Sequence, residues 1–329
     1  MNDTRQEERA LIAETCERLF ADHLDAEVFC AAEAGTWPDV LWNAIAQAGL
    51  DRILVPEGHG GSGLGWEDAQ VVLHAAGRHG LPVPLAETMA AGWLLAQAGL
   101  DVPDGVLTLA DDVERVPWGA DAGHAVLADA DGVQCVPVAD LQVRRDRNIG
   151  RDARDAYGGA EDSATALNFP IRLAGALARS CQMAGAVEAV LDLCVGYVND
   201  RVQFGRPIGK LQAIQQQLAV VAGEVAAAQT AARAACRAVD GAGLSPDGLH
   251  AVAVAKIRTG EAAGKAAAVA HQVHGAIGFT EEYSLHHLTR RLWSWRSEFG
   301  TENKWSQVLG RIVAARGADS LWPDLTARG

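Results

Sequence analysis

The sequence is poor in the features that mark several protein classes. Its six cysteines, Cys16, Cys30, Cys135, Cys181, Cys194 and Cys236, are scattered, with no C-x-x-C pair and no zinc-finger spacing. That excludes a thiolate metal site and a disulfide framework, and reads as small thiols in a reducing compartment. Positive charge is scarce as well: Lys plus Arg number 28 against 42 Asp plus Glu, a formal net charge of −14. Such acidity argues against a dedicated nucleic-acid binder and against attraction to an anionic membrane. No uncharged apolar run reaches transmembrane length, and the opening MNDTRQEERA is polar. The expectation is a soluble, cytoplasmic protein.

What is present is enough apolar material for a sizeable core, 49% of 329 residues, a length that suggests about two domains. The first hundred residues read as helices. Thr4-Arg5-Gln6-Glu7 has capping-box spacing, a second helix fits Trp37 to Ala48, a third Trp66 to Arg78 and a fourth Glu87 to Ala98. Ile53-Leu54-Val55-Pro56 is strand-like and leads into a glycine-rich loop, Gly58 to Gly65. Between 101 and 170, short apolar runs at 106–109, 124–127 and 133–138 alternate with Asp/Gly turns and predict strands, with a loop over 144–163. From 171 onward the chain is alanine-rich and predicts helices over 171–204, 212–242, 245–279, 285–295 and 301–316.

Several motifs invite chemistry. Gly58-x-Gly60-x-x-Gly63 has dinucleotide-binding spacing, but Pro82 and Pro84 interrupt the strand that a Rossmann unit needs next. His271-x-x-His274 and His286-His287 lack the glutamate of a zincin helix, so no metal is expected. Trp293, Trp295 and Trp305 lie near Arg290, Arg291 and Arg296, a pattern that suits either an Arg–aromatic ligand wall or a helix or subunit interface. In Asn199 to Gly209, Gly205 reads as a helix cap and Pro207 as a stop, with Arg201 and Phe204 on one helical face. Arg201 there is either a last-turn cation complementing the helix dipole or a guanidinium for a pyrophosphate.

Taken together, Arg201-x-x-Phe204-Gly205-x-Pro207-Ile208-Gly209, Gln272-x-x-Gly275-x-x-Gly278-Phe279-Thr280 and Gly300-Thr301 resemble the acyl-CoA dehydrogenase family. Pro56 to Gly63 and the helix–sheet–helix order resemble it too. The likeness is strong over 171–316 and weak over 101–170. It implies a mainly α fold with a small β insert: an N-terminal helical domain over 1–100, a reduced β-domain over 101–170 and a C-terminal four-helix bundle over 171–329. The last would bind FAD and make the oligomer.

Carried over by position, Arg201, Gln203 and Phe204 look like contacts to the FAD diphosphate, Gln272, Gly275 and Ala276 like a strip on the ADP half, and Thr301 like an adenosine-side contact. Family chemistry removes the α-proton of an acyl-CoA with a carboxylate and passes hydride to the flavin. Where many members carry that glutamate, before Gly-Thr, this chain has Phe299; where others carry it, after the arginine, it has Val202. The resemblance therefore implies the short subunit of an α2β2 acyl-CoA dehydrogenase of the bacterial steroid side-chain type. A longer paralogue would supply the glutamate and the pocket for an acyl-CoA substrate. Two alternatives stay open: a self-sufficient homo-oligomer using Glu298 as base, and a scaffold subunit without flavin.

Overall fold

The computed structural model describes residues 2–129, 132–158, 169–203, 205–280 and 282–326. The N-terminal helices are α1 (Asn2–His23), α2 (Ala26–Ala34), α3 (Asp39–Gln47), α4 (Trp66–His79) and α5 (Leu85–Gln97). Thr4 lies inside α1, so its predicted capping role is not realised, and the short α2 was not anticipated. Asp25 starts α2 by accepting the Val28 N–H at 2.8 Å, and Gly35 ends it in the left-handed region at φ 109°. The predicted strand at Ile53–Pro56 is instead a series of turns with Ile53, Leu54 and Val55 buried and Pro56 exposed. Apolar side chains there fill space under α5 without a neighbouring strand to pair with.

Two small sheets follow. In one, β1 (Leu107–Ala110) pairs parallel with β3 (His124–Asp129), which pairs antiparallel with β4 (Gly132–Pro137). In the other, β6 (Arg154–Gly158) lies between β2 (Val116–Pro117) and β5 (Gln142–Arg144). The loop expected over 144–163 thus begins on the last residue of β5 and contains β6, and residues 159–163 lie outside the described residues. Polar side chains hid these strands: Gln142 and Arg144 point to solvent while Ala156 and Tyr157 are buried.

The C-terminal part is built on α6 (Phe169–Asp200), α7 (Gln212–Ala242), α8 (Pro246–His274), α9 (Leu285–Ser297), α10 (Glu302–Arg316) and α11 (Ala318–Thr326). By length and composition Pro170–Asp200 could cross a membrane, but over half of its apolar window is buried inside the fold. It is the central helix, packing on α4, α5, α7, α8 and α9. Its approach to α4 is unusually close. A side chain at Gly77 would start 1.9 Å from the Gln182 carbonyl, and one at Gly185 1.9 Å from that of His74. Reciprocal glycines let the two backbones touch, so the N-terminal helices and the bundle share one apolar cluster running from Phe20 to Trp305. Asp240 of α7 fastens the same two parts from another side, accepting the Trp66 and Glu67 N–H groups at 2.7 and 2.9 Å and capping α4 in trans.

Candidate functional site

The segments singled out in the sequence fall at two places on the bundle. The first is where α6 ends. The helix stops at Asp200, four residues short of expectation, and Arg201 begins a two-stranded hairpin of β7 (Val202–Gln203) and β8 (Arg206–Pro207). Gly205, at φ 74°, is therefore a hairpin residue rather than a helix cap. Arg201 lies beyond the end of the helix, and Phe204, its expected companion on one helical face, lies outside the described residues. The Arg201 N–H still bonds the Tyr197 carbonyl at 2.8 Å, and its carbonyl accepts the Ile208 N–H at 2.9 Å. Ile208 then buries with Val198 and Val273, which seats the hairpin on the last turns of α8. The Tyr197 ring stacks on His274 at 4.3 Å.

This packing brings Arg201 and Gln203 to the same end of the bundle as Gln272, Gly275 and Ala276. All five are exposed. Gln272 closes α8, and Gly275–Phe279 continues as a 3-10 turn where a helix was expected. Nothing lies within 4 Å of where a side chain would start at Gly205 or Gly275. Arg201 makes no ion pair among the described residues. An open, cation-bearing ledge of this composition fits an anionic diphosphate and the polar linker attached to it.

The second place is the turn from α9 into α10, holding Glu298, Phe299 and Thr301. Thr301 caps α10, its hydroxyl accepting the Lys304 N–H at 3.4 Å. The side chain of the next residue, Glu302, lies against Gly260 of α8, about 18 Å along that helix from Gln272 at the helical rise, so one copy of the chain does not bring this turn to the Arg201 ledge. Phe299 is 3% exposed and takes a left-handed φ of 53°, unusual for a bulky residue. Its ring fills the space beside Gly175 of α6, where a Cβ would meet it at 2.4 Å.

Glu298 is sealed beneath the same turn. Its carboxylate faces Arg179 at 2.6 Å and Arg154 at 3.6 Å, and accepts from Asn148 Nδ2 at 3.1 Å. Burial pushes this carboxyl up, yet Arg154 and Arg179, with the Asn148 amide, outweigh it and hold it below its ordinary value. Arg179 also binds Glu87 of α5. Beside them Arg291 reaches Asp152 at 2.9 Å and Glu33 at 3.7 Å, and Glu33 is gripped by Arg290 and His287 at 2.8 Å. Burial raises the Asp152 pKa against the pull of Arg291. Lys256, fully buried, donates to the Trp295 and Arg296 carbonyls at 3.1 and 2.8 Å and so closes α9. Burial pulls its pKa down to about 7, despite Glu302 and Glu298 nearby.

Sequence reasoning missed this ionic junction. Its signal was a single charge in an otherwise apolar helical run, as at Glu87, Arg179 and Lys256. Of the two readings of the tryptophan and arginine stretch, Trp295 and Trp305 follow the helix-interface one: both are core, and the cation over Trp295 is Arg179, at 5.2 Å. His274 Nε2 lies 3.3 Å from the Tyr283 hydroxyl and His271 Nε2 2.9 Å from that of Thr289, and no metal-ligating cluster occurs among the described residues. In the glycine-rich loop, Arg52 occupies the carbonyls of His59 and Gly60, a surface loop clamped by its own chain.

Comparison with known proteins places the chain in a family. Residues 6–101 match the acyl-CoA dehydrogenase N-terminal domain and residues 173–317 the acyl-CoA dehydrogenase C-terminal domain. The chain is 31% identical over 310 residues to acyl-CoA dehydrogenase IpdE2 of Mycobacterium tuberculosis, covering 88% of this chain and 92% of that protein. To IpdE2 of Mycolicibacterium smegmatis it is 32% identical over 292 residues, covering 85% and 90%. Among solved structures, a chain of the Tcur3481-Tcur3483 steroid ACAD superposes with a TM-score of 0.84 at 26% identity, over 94% of this chain and 98% of that one. A chain of the ChsE4-ChsE5 complex from Mycobacterium tuberculosis gives 0.82 at 21% identity, over 93% and 97%, a likeness of fold alone. The chain belongs to the acyl-CoA dehydrogenase family of flavoprotein oxidoreductases.

Proposed function

We propose that this chain is the non-catalytic subunit of a two-chain acyl-CoA dehydrogenase. It would grip the ADP half of FAD while a longer chain of the same fold supplies the base and the acyl pocket. The observation that carries the reading is Phe299. The position that precedes Gly300-Thr301 holds a buried phenyl ring packed on Gly175, which can accept no proton. Val202, the other position where the family places a base, is likewise apolar. Glu298 is 4% exposed with two arginines on its carboxylate, so it is ionised but shielded from any thioester.

FAD, when bound, supplies the redox step by accepting the substrate's β-hydrogen as hydride. The chain's own contribution is electrostatic and positional. Arg201 would neutralise a diphosphate oxygen, the Gln203 and Gln272 amides would hydrogen-bond beside it, and Gly275 and Ala276 would let the linker approach the backbone. Thr301 would serve a second flavin site across the assembly. The α2β2 arrangement and a steroid-derived acyl-CoA as substrate are in line with the solved relative whose name joins two proteins in a steroid ACAD.

The isolated chain is expected to purify with little flavin absorbance and no dehydrogenase activity, and to gain both with a longer paralogue. Arg201→Ala should then lower the flavin-to-protein ratio of the assembly. Full activity of the chain alone overturns this reading.

A further inference from the structure

Five arginines and two aspartates stand in the eleven residues 144–154, a local excess of three positive charges in a chain of net charge −14. Four of these arginines face a carboxylate. Arg144 meets Glu114 at 3.4 Å and Arg145 meets Asp121 at 3.1 Å. Arg151 meets Glu33 at 3.4 Å and Arg154 meets Glu298 at 3.6 Å. Arg147 makes no ion pair among the described residues. Its Nη1 donates to the carbonyls of Glu33 and Arg151 at 2.8 Å each and of Ala32 at 3.4 Å, closing the C-terminal end of α2. Its Nη2 makes no hydrogen bond among the described residues and lies over Gly35, where a side chain would start 2.8 Å away. The guanidinium is fixed in place with its charge unanswered.

That charge lines a cleft of about 280 Å³ between the α2–α3 turn and the sheet of β2, β6 and β5. Its walls are aromatic. The Trp37 and Trp118 rings meet edge to face, 6.2 Å between centroids at 80°, and Trp42 backs Trp37 at 5.8 Å. Trp118 takes a left-handed φ of 54°, unusual for so bulky a residue. It is held there by the Ala153 carbonyl, which accepts its N–H at 3.1 Å, and by two turn N–H groups on its own carbonyl. The carboxylates of the cleft are already engaged. Asp155 is buried and accepts the Ala120 and Asp146 N–H groups at 2.7 and 3.0 Å. Asp121 is taken by Arg145, and Asp146 accepts the Arg147 N–H at 2.7 Å. The cleft is separate from the buried ionic junction: along β6, Ala153 and Asp155 line it while Arg154 turns the other way to Glu298.

Flat apolar walls and one fixed, unneutralised guanidinium suit a planar ligand that ends in an anion. The volume, at the small end for small-molecule sites, suits one ring rather than a nucleotide or a steroid nucleus. We propose that this cleft binds a single-ring aromatic carboxylate, its carboxylate on Arg147 Nη2 and its ring against Trp37 and Trp118. The site is independent of the two-chain reading and uses none of the residues assigned to FAD.

The test is titration of the purified chain with sodium benzoate at constant ionic strength, read by tryptophan fluorescence and calorimetry. Benzoate is expected to change the fluorescence saturably and to raise the unfolding midpoint, because it binds the folded chain alone. Benzamide, of the same shape without the charge, should bind about tenfold more weakly or worse, the scale of one hydrogen bond to a charged group. Arg147→Gln should lose benzoate to the same extent. Because Arg147 also closes α2, Thr36→Phe is the second variant. It fills the cleft from an exposed position and should abolish binding at an unchanged unfolding midpoint. Benzamide binding as tightly as benzoate, or either variant binding benzoate as the wild type does, overturns the site. So does the absence of saturation up to about 10 mM. None of these outcomes touches the subunit assignment.

Discussion

The two ends of the C-terminal bundle handle charge in opposite ways. At the α9–α10 turn, Arg179, Glu87, Glu298, Asp152 and Arg291 are buried, each facing an opposite charge. At the hairpin end, Arg201, Arg206 and Lys210 stand in solvent with no ion pair among the described residues. Buried ions must recover a desolvation cost of several kcal/mol each, so they are held in one geometry by several partners. An exposed cation has no such cost to recover and remains available to a ligand. The junction thus ties α2, α5, α6, α9 and the β-module into one body, and the ledge keeps its charge for something outside the chain.

The sharpest way to break this contrast is at Arg179. Arg179→Met leaves Glu87 and Glu298 buried without their shared cation, and an unfolding titration should show a loss of about 3–5 kcal/mol. A loss under about 1 kcal/mol would mean that water reaches the junction. Next is Phe299→Ala, which empties the space beside Gly175 and should cost about 3 kcal/mol. Phe299→Gly tests the backbone separately, since glycine relieves a left-handed strain of about 1 kcal/mol. Chemical denaturation of the two variants, compared side by side, separates packing from strain.

Lys256 sharpens the comparison through pH. Its pKa falls from about 10.5 unfolded to about 7 folded. Between those values the unfolded chain holds the extra proton, so stability should rise with pH from 7 to 10, by up to a few kcal/mol. Below pH 7 both states are protonated and the contribution is flat. Lys256→Met should remove that slope, even though it also loses the bonds that close α9; a slope unchanged in the variant assigns it to another group. The smallest effect belongs to the other end. Arg201→Ala should change the unfolding free energy by less than about 0.5 kcal/mol, in contrast to Arg179, while altering flavin content in the assembly.

How much of this could be read beforehand differs by region for a physical reason. Over Gln212–Ala242 the helical expectation and the observed helix coincide, because alanine-rich periodic sequence and a glycine at the end act locally. At 142–158 the strands β5 and β6 were missed, since a short, half-polar edge such as β5 acquires its pairing only when β6 comes alongside it. At Arg201 the local reading extended the helix too far. The hairpin forms because Ile208 buries with Val198 and with Val273, a residue of α8 remote in sequence.

The candidate ledge was readable as a motif and the ionic junction was not. Single charges in apolar helices give no hint of their partners until the helices cross.

What the chain determined by itself is therefore the set of local choices: where alanine makes helices, and where glycine and proline end them. Tertiary structure alone decided which charges are sealed and which face solvent. Burial and pairing depend on side chains that approach from other helices, and no short window of sequence contains both partners.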